Sequence, residues 1–145
     1  MILSIISAFI STVGFSIVFH AERKHLLICG GVGAIAWTIY LLLDYYHFSS
    51  VLASFISALI VTGLCYILAK KRKAPITVFL IAGIIPLVPG VGLYRMMAAL
   101  LDENYSLALD YATLTFEIAG VIAGAIGIVS LLPLLWRKPR HKKEQ

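Results

Sequence analysis

The stretch "IIPLVPGVGLYRMM", Ile84 to Met97, interrupts a long apolar run with Pro86, Pro89, Gly90 and Gly92 and then adds a charge, Arg95. Each proline removes a backbone donor and crowds the turn before it, and Gly90 loosens the backbone at the same place. A helix is therefore expected to break here. The run that contains the break, Ile76 to Leu101, leads from the basic "KKRK" of Lys70–Lys73 to the acidic Asp102 and Glu103, and the midpoint of the crossing from Ala74 to Leu101 falls at Leu87 and Val88. In a bilayer-crossing helix the break would lie at the bilayer centre, where unwound backbone is tolerated only if protein buries it or a watery cavity meets it.

The rest of the chain supports a membrane setting. Of its 145 residues 61% are hydrophobic and 13% charged, against roughly 25% charged in soluble domains. Five apolar stretches have close to the roughly 20 residues that a crossing needs: Ile2–Phe19, Leu26–Leu43, Val51–Ala69, Ile76–Leu101 and Ala112–Trp136. The expected fold is an all-α integral membrane protein, a five-span helical bundle over residues 1–136 with its fourth helix broken at Pro86–Gly90, followed by a basic tail at 137–145. The first stretch lacks the basic n-region and small-residue cleavage site of a signal peptide, so it is expected to be a span. Cys29 and Cys65 lie within spans without metal-ligand spacing and are expected to pack as small apolar residues.

Charge placement predicts orientation. Arg23 and Lys24, then Lys70–Lys73, then Arg137, Lys138, Arg140, Lys142 and Lys143 occupy the first connection, the third connection and the tail; the second and fourth carry Asp44, and Asp102, Glu103 and Asp110. Basic and acidic connections alternate as five crossings require under the positive-inside bias, with the amino terminus outside and the carboxyl terminus in the cytoplasm. A four-span arrangement would put one basic cluster on the wrong side. The basic clusters fit anchoring beside anionic headgroups of the lipid bilayer, and no nucleic-acid module is visible. His20, His25, His47 and His141 fall at span edges, in connections or in the tail.

Small residues mark helix contact faces in lipid. Ser4, Ser7, Ser11 and Gly14 recur at helical spacing in the first span, Ser50, Ser54 and Ser57 around the third, and "GGVGA", Gly30 to Ala34, opens the second. In the fifth, Thr113, Glu117, Gly120, Gly124 and Gly127 share one side, which predicts helix packing through Gly120, Gly124 and Gly127 and turns Glu117 toward other helices.

An arginine within a span asks for a partner. Arg95 precedes Asp102 by seven residues and Glu117 follows Asp110 by seven, so antiparallel neighbours would bring Arg95 and Glu117 to similar depth. As a buried ion pair they would fix the fourth helix against the fifth. Alternatively, Arg95 would offer its planar fork to a substrate carboxylate, with Glu117 exchanging a proton or holding Arg95 between substrates. The break has two readings as well: a proline kink satisfied by neighbouring helices, or a discontinuous helix whose second half, starting near Gly90 or Val91, points its N-terminus at an anionic substrate.

"TVGFSIVFH", Thr12 to His20, and "IIPLVPGVGLY", Ile84 to Tyr94, resemble matching segments of the threonine/serine exporter (ThrE) family, above all its short subunits of the kind found in a bipartite succinate exporter. The matching positions are Gly14, Phe15 and Phe19, then Pro86, Pro89, Gly90 and Tyr94, and the likeness extends over nearly the whole chain. It implies a subunit of a secondary exporter for small carboxylate metabolites, a succinate-like dicarboxylate or threonine and serine. It also implies a longer homologous ThrE-type membrane subunit as partner, and the bacterial cytoplasmic (inner) membrane as location. Arg95 and Glu117 depart from the family pattern. The substrate path is expected at Pro86, Pro89, Gly90, Tyr94, Arg95 and Glu117. No cofactor is expected, since "GGVGA" lacks the lysine and hydroxyl residue of a phosphate loop. The competing readings are an accessory or scaffold membrane protein, and an intramembrane enzyme. The latter is disfavoured because no histidine or aspartate lies within the spans at the depth of the serines.

Overall fold

Apolar chain that cannot give its amides to water closes them within helices, and this chain does so nearly throughout. The structure, a computed structural model, describes residues 1–135, of which 132–135 are helix backbone only; Trp136 and the basic tail 137–145 lie outside the described residues. The helices are α1 (Ile2–Val18), α2 (Leu26–Tyr45), α3 (Ser50–Arg72), α4 (Ile76–Ile84), α5 (Gly90–Leu101) and α6 (Tyr105–Leu135), with short 3-10 turns at Arg23–His25 and Ile85–Leu87. Among the described residues there is no strand. The α2, α3 and α6 segments are long and apolar enough to cross a membrane, and α4 with α5 makes a fourth if the bent pair is one span. The remaining apolar segment, α1, has 17 residues.

The connections are short because helix ends are tightly closed. After α1, the amide of His20 donates to the Ile17 carbonyl and that of Ala21 to Ser16; after α2, His47 and Phe48 repeat the pattern on Asp44 and Leu43; after α5, Glu103 and Asn104 repeat it on Leu100 and Ala99. These are Schellman closures, which need a left-handed residue and usually take glycine. Here side-chain-bearing residues adopt it, with φ of 57° at His20, 60° at His47 and 58° at Glu103, and Lys73 at 51° ends α3 in the same region. Two of the edge histidines are thus helix-closing residues. Two helix starts are capped by side chains: Ser49 Oγ accepts from the Leu52 amide at 3.3 Å, and Asn104 Oδ1 from the Leu107 amide at 3.2 Å.

The core lies where α2, α3 and α4 meet, with α1 packed on α2, α6 on α3 and α5 on α6. Cys29, Val32 and Ala36 of α2, Ala58, Val61 and Cys65 of α3, and Phe79 and Ala82 of α4 fill it, joined by Leu87, Ile122 and Ala125. Both cysteines are buried free thiols within this cluster, as small apolar residues would be. Close approach decides the α1–α2 seam: a Cβ on Gly33 would collide with the Thr12 side chain.

The fourth apolar stretch is broken at the expected place. The axes on either side of the break differ by 46°. Gly90, however, is not what turns the chain, because no glycine among the described residues has positive φ. The turn is made by Val88, extended at ψ 129°, and Pro89 at ψ 56°; Gly90 then begins α5.

Candidate functional site

The break borders a cavity of about 350 Å³. Trp37 and Tyr40 come to it from α2, Ser50 and Ser54 from α3, Pro86–Gly92 from the break and the start of α5, Arg95 from α5, and Tyr111, Leu114, Thr115 and Ile118 from α6. Four helices thus converge around non-helical backbone, which is how such backbone is accommodated at membrane depth. The Gly90 amide donates to Val88 O at 2.8 Å and the Leu93 amide to Pro89 O at 3.3 Å. The Val91 and Gly92 amides, with no backbone acceptor before them, remain the free first-turn donors of α5 and lie on the cavity wall. Nothing stands within 4 Å of where a Gly90 Cβ would be, so that backbone stays open. A helix N-terminus and a guanidinium on the same wall favour an anionic group.

Arg95 belongs to this cavity, but Glu117 does not. The Arg95 guanidinium carbon lies 6.0 Å from the centroid of the Tyr111 ring, a cation–π arrangement. Arg95 and Glu117 make no ion pair: the salt bridge among the described residues joins Lys24 and Glu22 at the basic end. The physical reason is register. Asn104 caps α6 at once, so Tyr105–Asp110, expected to be loop, are already helix. That slides Glu117 about 9 Å along the axis past the level of Tyr111, at about 1.5 Å per residue. Glu117 is exposed on the outside of the bundle, as are Thr113, Gly120, Gly124 and Gly127. Among the described residues nothing packs within 4 Å of a Cβ at any of the three glycines.

Register at the cavity is locked elsewhere. A Cβ on Gly92 would run into Thr115 Oγ1, which itself donates to the Tyr111 carbonyl at 2.6 Å. Gly92 therefore lets α5 sit close on α6 and holds Arg95 over Tyr111. Sequence reasoning passed over Tyr111, Thr115, Trp37 and Tyr40. Their signal was weak, since aromatic and threonine residues in apolar helices are ordinary packing residues; the serines Ser50 and Ser54 were visible but read as a contact stripe.

The other candidates separate. Pro86, Pro89 and Gly90 line the cavity with Arg95, whereas Tyr94 is 74% exposed and is not among the residues that line it. Gly14, Phe15 and Phe19 lie on α1 or just after it, with the Phe15 and Phe19 rings stacked at 6.5 Å. Phe19 lines a second cavity of about 280 Å³ at the basic end, with Ser16, His20, Pro75 and Thr77 among its neighbours. The two sequence motifs therefore border different cavities. Among the described residues no three of His, Cys, Asp and Glu converge as metal ligands would.

The model of the family described as "Threonine/Serine exporter, ThrE" matches residues 4–132 of the chain. The chain belongs to the threonine/serine exporter family. The match covers every helix described above, α1 through most of α6, so the broken segment and both cavities lie within the threonine/serine exporter region. No solved structure matches the chain. As a threonine/serine exporter family member it is a membrane protein of the transporter class.

Proposed function

We propose that this chain is the short subunit of a secondary exporter of small carboxylate metabolites, a succinate-like dicarboxylate or threonine and serine, working with a longer homologous ThrE-type subunit in the bacterial cytoplasmic membrane. The observation that carries the reading is the cavity at the break, with Arg95 and the free Val91 and Gly92 amides on one wall. A substrate carboxylate there would take the guanidinium fork and first-turn amides together, each a charge-assisted donor. The 46° bend then divides the fourth segment into two rigid halves whose relative tilt can open and close the cavity.

In this reading α1 joins α2, α3, the α4–α5 pair and α6 as the fifth crossing. Alternating basic and acidic connections support the amino terminus outside and the carboxyl terminus inside. The outward face of Glu117, Gly120, Gly124 and Gly127 supports a helical partner, because a carboxylate facing hydrocarbon is costly and small residues invite close helix approach.

The test is export from cells expressing this chain and the longer subunit, singly and together. Export should require both, fall at least tenfold for Arg95→Gln, and be partly retained by Arg95→Lys. Export that persists without this chain, or is untouched by Arg95→Gln, favours a scaffold role and removes the cavity from the path.

A further inference from the structure

We infer that Ser54 and Trp37, backed by Ser57 one turn behind Ser54, form a second polar subsite of the cavity at the break, which holds an oxygen-bearing group at the end of the substrate remote from Arg95. The inference rests on the exporter reading above and adds to it the residues that read the rest of the substrate.

Hydroxyls in apolar helices ordinarily return to a carbonyl of their own helix. In α1, Ser4, Ser7, Ser11 and Ser16 all do so, at 2.7 to 3.1 Å. Thr62, also on α3, does so at 2.6 Å. Ser54 and Ser57 do not. Ser54 lines the cavity, is 2% exposed and makes no hydrogen bond with any described residue; Ser57, fully buried one turn along α3 and behind the lining, has an oxygen without a partner among the described residues. Trp37 comes to the same cavity from α2 and also borders a cavity on the α1 side with Ser4, Ser7, Ser11 and Pro86; its indole N–H is buried with no acceptor among the described residues.

Unpaired polar groups in a dry interior are costly, so each asks for a partner, whether a ligand, an ordered water or an ion. Thr12 and His25 are also buried without partners but lie away from this cavity, whereas Ser54 and Trp37 line its α2 and α3 side, with Ser57 one turn behind Ser54, opposite the donors of α5. The indole can only donate, while the two hydroxyls can donate or accept. Among the described residues no acidic side chain lines the cavity. The set therefore suits an atom with lone pairs, either an alcohol oxygen or the oxygens of a second carboxylate.

The experiment measures export by the two-subunit system of two matched pairs, L-serine against L-alanine and succinate against butyrate, whose members differ in the remote oxygen group. For Ser54→Ala, Ser57→Ala and Trp37→Phe, the preference for the oxygen-bearing member should fall about 3- to 10-fold in one pair, through KM with kcat little changed. The affected pair identifies the group, hydroxyl or carboxylate. Ser54→Thr, which keeps the hydroxyl, should keep the preference. If the three variants lower both members of each pair equally, or leave both preferences intact, the subsite is overturned while the exporter reading stands. If the unsubstituted system moves none of the four, the exporter reading falls and the subsite falls with it.

Discussion

Arg95 and Tyr111 face each other across the α5–α6 contact, guanidinium carbon 6.0 Å from the ring centroid. The ring steers the cation without neutralising it, so the guanidinium stays available for a carboxylate. Tyr111→Phe keeps the aromatic face and should leave export close to that of the unsubstituted protein. Tyr111→Leu removes it and should raise KM about 2- to 5-fold, in line with a cation–π contribution of about 0.5–1 kcal/mol. Concentration-dependent export assays separate the two; equal effects would mean that the ring's quadrupole does not matter.

Gly92 sets how closely α5 lies on α6, because a Cβ there meets Thr115 Oγ1. Gly92→Ala should destabilise by about 1–3 kcal/mol through overpacking. Combining it with Thr115→Ala, which deletes the obstructing oxygen, should recover most of that loss. Thermal unfolding of detergent-purified single and double variants measures the coupling, and strictly additive effects would contradict the contact.

Pro89 separates Val88, still extended, from the first turn of α5. Pro89→Ala removes the constraint on its own φ and on Val88, and restores an amide donor. The fourth segment should straighten toward a continuous helix, with thermal stability unchanged or raised and export reduced at least tenfold. Retained export with a raised unfolding temperature would mean that the bend is dispensable.

On the outer face of α6, a side chain at Gly120 or Gly124 has open space among the described residues. Gly120→Leu and Gly124→Leu should therefore leave the isolated chain's unfolding temperature unchanged, yet weaken co-purification with the longer subunit at least tenfold. If co-purification is unaffected, the partner docks elsewhere.

Which segments are helical and apolar was decided by composition and periodicity, because the cost of placing a side chain in hydrocarbon is paid residue by residue and needs no neighbours. The break at Pro86 to Gly90 was legible for the same reason: a missing amide is a local property. The start of α6 could also have been read from Asn104 as a helix cap, but acidic residues as far as Asp110 suggested a longer loop. That misplaced start shifted the expected register and paired Arg95 with Glu117. What only the tertiary structure decided is which residues face one another. Register depends on where helices begin and how closely they approach, through Asn104 and through Gly92 against Thr115. It placed Arg95 over Tyr111, turned Glu117 and its glycines outward, and left Ser54 and Ser57 without the backbone bonds that the serines of α1 make. Spacing alone gave the serines of α1 and α3 the same reading, since the pattern is the same and only their surroundings differ.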